Sequence, residues 1–203
     1  MDKKQEFIHI FKKYIARSGA IDLLEWMDRE TEFFTATASS KHHGAEPGGL
    51  VTHSLNVYHR LHMITCLVTY GTTAASDLAA DVEESVAVMG LLHDLCKHDV
   101  YHMEMKRRRD PATGQWGDVP EYVFRDPFPF GHGEKSVYLI NQRMGLMAYE
   151  ALAIRWHMGA FDEAAKGGGN ALNAAMEMTP WVWRLHQADM CATHVDEREE
   201  PAE

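Results

Sequence analysis

Cysteine is scarce, with three in 203 residues. Cys66, Cys96 and Cys191 stand far apart in apolar surroundings and form no CxxC pair, so they read as the reduced thiols of a cytoplasmic protein. Long hydrophobic runs are missing too. No stretch approaches the ~20 apolar residues needed to span a bilayer, and the opening Met1–Glu6 is polar rather than a leader. Neither a membrane partner nor an exported protein is expected. Positive charge is in deficit: 20 Lys and Arg against 30 Asp and Glu give a net charge of −10. Such a chain is not a general polyanion binder, and contact with nucleic acid would need a local basic patch. Strand-like alternation is rare. No internal repeat, Walker A loop, GxGxxG, GxSxG or heptad array occurs.

What remains is 45% hydrophobic sequence with frequent helical spacing. That suits one domain over residues 1–195, followed by an acidic, frayed tail at 196–203. Phe7, Ile10, Phe11, Tyr14 and Ile15 make one stripe of a helix over 3–17. A Gly/Pro loop at 39–49 feeds a long helix ending near Tyr70, with His53 in its first turn. His59 and His62, further along, read as structural. A buried helix is expected from Asp81 to Lys97. Residues 99–130 break the helical pattern, and a hairpin at about 100–125 fits their alternation and the turn cluster at 110–114. Its first arm holds the one dense basic run, Lys106 to Arg109. The run reads equally as a charged guard on an edge strand or as a substrate-facing patch. The last helix is expected over Thr179–His194.

The organising stretch is Met89–His98, where an apolar run meets adjacent His93 and Asp94. A buried helix carries such a pair only if something compensates the burial. Imidazole beside carboxylate is a ligand set for a divalent metal, and Lys97 falls one turn on, on the side of Asp94. A lone His-Asp pair is more often a buried ion pair, but this one has company. His132 follows a Pro/Gly loop at a helix start, His157 ends a helix, and Asp189 interrupts an apolar stripe where an acid wants a cation. His42 and His43 lie on the loop before His53, where they either touch substrate or stand as ordinary loop histidines.

Gly-Gly-Leu-Val-Thr-His at 48–53, Leu-Leu-His-Asp-Leu-Cys-Lys at 91–97, Gly-His-Gly-Glu-Lys-Ser at 131–136, Trp-His-Met-Gly at 156–159 and Leu-His-Gln-Ala-Asp at 185–189 follow in order. This order resembles the HD-domain superfamily of metal-dependent phosphohydrolases over roughly residues 40–195. It looks most like the HD domain of bacterial 3′–5′ exoribonucleases, without their OB-fold domain. Cys96 stands where that family usually has glycine. The resemblance implies an all-α HD-domain helical bundle with the small inserted hairpin. It also implies that His53, His93, Asp94 and Asp189 hold a first metal, that Asp94 bridges, and that His132 and His157 complete a second site. So many imidazoles with two carboxylates suit Mn²⁺, Fe²⁺, Co²⁺, Ni²⁺ or Zn²⁺ rather than Mg²⁺ or Ca²⁺, and the set lacks the cysteines of a structural zinc site.

Two such ions clamp a phosphoryl oxygen and supply a metal-bound hydroxide. The expected activity is therefore a cytoplasmic phosphohydrolase or phosphodiesterase. Asp94 and Lys97 carry catalysis. His43, Lys97, Lys135, Arg107 and Arg108 meet a small phosphorylated substrate or a short single strand of nucleic acid. Trp116 and Tyr122, on the opposing arm, are placed to stack a base. A diiron oxygenase is the second reading, because some HD-domain enzymes activate oxygen with a similar ligand set. A non-catalytic nucleotide-sensing module is the third.

Overall fold

The computed structural model describes residues 2–41, 44–73 and 78–198. Its axis is a pair of helices, α3 (Gly49–Tyr70) and α4 (Ala80–Leu92). Every residue of α4 from Ser85 to Leu92 is buried, as an all-round apolar sequence requires. Gly90 lets the two helices touch. A Cβ there would stand 2.6 Å from the Tyr58 Cα, so only glycine permits this approach. Around the pair lie α1 (Lys3–Tyr14), α2 (Ala20–Glu30), α5 (His132–Asn141), α6 (Ala148–Trp156) and α9 (Trp181–Cys191), with short α7 (Glu163–Lys166) and α8 (Ala171–Met178) before the last. Helix α9 packs on α3 and α6, and α5 packs on α6. Gly133 sets that second contact: a Cβ there would meet the Arg155 carbonyl oxygen at 2.3 Å.

The core runs through all the main helices, from Phe7 and Phe11 of α1 to Leu55 and Leu61 of α3, Met89 and Leu91 of α4, and Leu185 of α9. One buried carboxylate ties two of them to the turn between α1 and α2. Glu150 of α6, fully buried, receives the Arg17 guanidinium at 2.7 and 2.9 Å and the Ser85 hydroxyl at 2.7 Å. A buried carboxylate is tolerable when its lone pairs are filled in this way.

Among the described residues the sheet content is one antiparallel hairpin, β1 (Tyr101–Arg109) with β2 (Trp116–Phe124). Its register runs from Tyr101 opposite Phe124 to Arg109 opposite Trp116. The chain is thus predominantly helical with the expected hairpin at the expected place. Among the described residues no helix is long and apolar enough to cross a membrane.

Two boundaries differ from the sequence reading. The buried helix stops at Leu92 instead of running to Lys97, and a 3₁₀ turn (Leu95–Asp99) follows. The Cys96 amide N–H goes to the Ser136 hydroxyl oxygen at 3.0 Å, so it makes no helical bond. The apolar stripe continues through Leu95 and hides the break. The acidic tail does not begin free at Asp196. A π turn (Ala192–Asp196) follows α9 and carries Asp196 and Glu197 back onto α3.

Candidate metal centre

Five helices bring their ends, or one buried turn, to a single point. His53 comes from the first turns of α3, His93 from the residue capping α4, and Asp94 from the break after it. His132 opens α5, His157 caps α6, and Asp189 sits near the end of α9. Each imidazole is held by its Nδ1. The last carbonyls of a helix lack N–H partners, and two of the histidines use them. His93 Nδ1–H donates to the Gly90 carbonyl oxygen at 3.0 Å, and His157 Nδ1–H to that of Ile154 at 2.7 Å. His53 Nδ1 lies 3.1 Å from both carboxylate oxygens of Glu197. His132 Nδ1 lies 3.3 Å from the Cys96 sulfur. All four rings therefore present Nε2 to the interior, the arrangement a metal-ligating histidine needs.

Asp94 divides these rings into two sets. Its Oδ2 is 3.5 Å from His53 Nε2 and 3.6 Å from His93 Nε2, and Asp189 Oδ1 is 3.3 Å from His53 Nε2. Its Oδ1 is 3.4 Å from His157 Nε2 and 2.8 Å from His132 Nε2. His53, His93, Asp94, His157 and Asp189 are all buried. Asp94 Oδ1, His132 Nε2 and His157 Nε2 nevertheless have no hydrogen bond in proper geometry. Buried polar atoms left in this state call for a partner, and a cation between them would satisfy all three. His53, His93 and Asp189 offer ligand atoms within 4.8 Å of one another, as do His93, Asp94 and His157, and as do Asp94, Cys96 and His132. Nitrogen and carboxylate oxygen in these proportions fit a divalent transition metal. These side chains thus form buried clusters able to hold metal ions.

The charges are strongly interdependent. Burial works against a charged His53, but Asp189 and Glu197 outweigh it and push its pKa up to about 9. His132 behaves likewise: burial opposes, Cys96 and Asp94 prevail, and its pKa rises to about 10. His93 is driven down to about 3 by burial, helped by His157 and His53 and opposed by Asp94. Burial would raise Asp94, yet Lys97, His93 and His132 hold it well below the usual carboxylate range. Lys97 places its ammonium 2.7 Å from Asp94 Oδ2.

Beside the centre opens a cavity of about 280 Å³, lined by Lys97, Tyr101, Phe124, Pro129, Gly131 and His132 among others. Tyr101 and Phe124 face each other across the hairpin, ring centroids 5.7 Å apart. Alternate residues of a strand share a face, so Met103, Met105, Arg107 and Arg109 lie on the cavity side with Tyr122 and Trp116. Lys106 and Arg108 lie on the other side. Arg108 is bound there in a two-pronged pair with Glu121 at 2.6 and 2.7 Å. Lys135 is buried, and its ammonium is taken by Asp99 and Asp126, both at 2.8 Å. These pairs tie the hairpin base to α5. His43 lies outside the described residues. His59 and His62 pair with Glu6 and Glu83, away from the centre.

Sequence reasoning missed Glu197. An acid in a run of acids near the end of a chain gives no local signal. A helical bundle with a buried His/Asp cluster fit for metal is the class that fold and site define. No family model, curated protein or solved structure matches the chain.

Proposed function

We propose that this chain is a metal-dependent phosphohydrolase or phosphodiesterase of the HD-domain type, acting on a phosphate ester of a nucleotide or a short oligonucleotide. One observation carries the reading: the two oxygens of Asp94 face two different histidine sets, with a lysine that lines a cavity on the same carboxylate. Divalent ions held there would supply a water of lowered pKa and stabilise charge on the phosphoryl oxygens. His53, His93, Asp94 and Asp189 would hold one ion. Asp94, His132 and His157 would hold the other.

The remaining groups bind and orient. Lys97 lines the cavity and meets charge that develops on the phosphoryl oxygens. The aromatic pair Tyr101 and Phe124 forms part of the cavity wall and would offer ring faces to a base. Arg107 and Arg109 stand further along the same face, where a longer strand would pass.

The test is a screen of the protein reconstituted separately with Mn²⁺, Co²⁺ and Fe²⁺. Nucleotides, cyclic dinucleotides, short RNA and short single-stranded DNA are the substrates, with and without oxygen. Phosphate ester hydrolysis with Mn²⁺ or Co²⁺ in the absence of oxygen is the expected result. Turnover that requires both iron and oxygen would replace this reading with an oxygenase.

A further inference from the structure

Two of the four inward-facing histidines are held by carbonyls that their own helix geometry leaves free, and two by side chains from other elements. His93 and His157 cap their helices and reach free carbonyls three residues back. His132 opens α5 and meets Cys96 of the adjoining turn. His53 has no such free carbonyl. It sits inside α3, where each carbonyl is engaged by the N–H four residues on. Its Nδ1 must find an acceptor from outside the helix, or the ring is free to rotate and to lose the tautomer that leaves Nε2 open.

We infer that Glu197 is the positioning residue of the first metal site, holding His53 with Nδ1 protonated and Nε2 turned to the metal. Both Glu197 oxygens lie 3.1 Å from His53 Nδ1, and the Asn56 side-chain amide donates to one of them at 2.9 Å. The Glu197 side chain is only 8% exposed. The segment bearing it is anchored twice more. Arg60 Nε donates to Asp196 at 2.7 Å, and the Thr193 hydroxyl donates to Asp189 at 3.4 Å. His53, Asn56 and Arg60 follow at i, i+3 and i+7 on one face of α3, so the segment lies along a stripe already built to receive it. The π turn closes with the Glu197 N–H on the Ala192 carbonyl oxygen at 3.0 Å. Such widened turns recur where a side chain must be re-aimed. The segment therefore touches two of the residues proposed for the first site, His53 and Asp189.

This inference rests on the centre being a metal site. The experiment separates the two claims. Full-length wild type, Glu197→Ala and Glu197→Gln are titrated with Co²⁺, followed by visible absorbance and calorimetry. Histidine side-chain ¹⁵N spectra of the metal-free proteins, recorded above the His53 pKa of about 9 so that the ring is neutral, report its tautomer, and thermal melts report folding. Removing a carboxylate behind a metal-bound histidine typically weakens binding about 10–100-fold. Glu197→Ala is expected to weaken the first Co²⁺ by that factor, spare the second, and mix the His53 tautomers. Glu197→Gln keeps an acceptor oxygen and is expected to recover part of the affinity. It also serves should the alanine variant melt early. Wild-type-like first-site binding and an unchanged His53 tautomer in both variants would overturn the role of Glu197 while leaving the metal centre standing. Equal weakening of both ions would overturn it as well, because that is the mark of general loosening. A wild type that takes up no Co²⁺ would remove the metal centre and this role with it.

Discussion

An imidazole holds either a proton or a metal on Nε2, and the proton is favoured at His53 by Asp189 and Glu197 and at His132 by Cys96 and Asp94. The two imidazole pKa values, about 9 and about 10, lie above the ordinary 6.5. A group raised on folding stabilises the fold in full below its unfolded pKa, and the contribution is lost as pH rises through the folded one. The melting temperature of metal-free protein should therefore fall between about pH 7 and about pH 10, while the metal-loaded protein melts almost independently of pH over that window. Metal uptake near neutral pH must also displace these protons. Calorimetry in buffers of different ionisation enthalpy should find about two released; binding without proton release would contradict the charge assignment. The six side chains that the fold brings together were legible in the sequence because His and Asp are costly in apolar helical contexts, as at His93, Asp94 and Asp189. Glu197 was not, because its acidic neighbours make it look solvated, and only the turn after α9 carries it to His53.

At the scale of elements, close approach of helices does what no single ligand can. Gly90 holds α3 against α4, so the rings of His53 and His93 stand 5.3 Å apart. Helix propensity alone says that Gly90→Ala should gain about 1 kcal/mol. Overpacking against the Tyr58 backbone costs about 1–3 kcal/mol, and backbone at 2.6 Å cannot swing aside. The clash should win, and denaturant unfolding should show a net loss of stability together with weaker metal binding; a more stable variant would refute the packing argument. The hairpin was legible from its alternation and turn residues. Which face meets the cavity was not, because that depends on how Tyr101 and Phe124 dock beside Lys97 and His132. The two faces separate in kinetics. Arg107 and Arg109 changed together to Ala should lower kcat/KM on an oligonucleotide in a salt-dependent way and spare a mononucleotide. Lys106 and Arg108 changed together should leave both substrates unaffected. Trp116→Ala should cost about 1–3 kcal/mol of oligonucleotide binding if a base stacks there.

For the whole molecule, the bundle spends its order on one point: helix ends from α3, α4, α5 and α6 and a buried acid from α9 all meet at Asp94. The periodic stripes of Phe7, Phe11, Leu55 and Leu91 made the helical architecture readable. The break after Leu92 was masked, since Leu95 keeps the stripe while the backbone changes course. That break is what lets Asp94 turn one oxygen to each histidine set, so the central claim reduces to whether this carboxylate is shared. Metal content per chain answers it directly, measured after reconstitution with Mn²⁺ and extensive dialysis for wild type, Asp94→Ala and His157→Ala. The shared carboxylate predicts about two ions in wild type, about one in His157→Ala and none in Asp94→Ala, with all three proteins folded. An Asp94→Ala protein that keeps the wild-type metal content would contradict it.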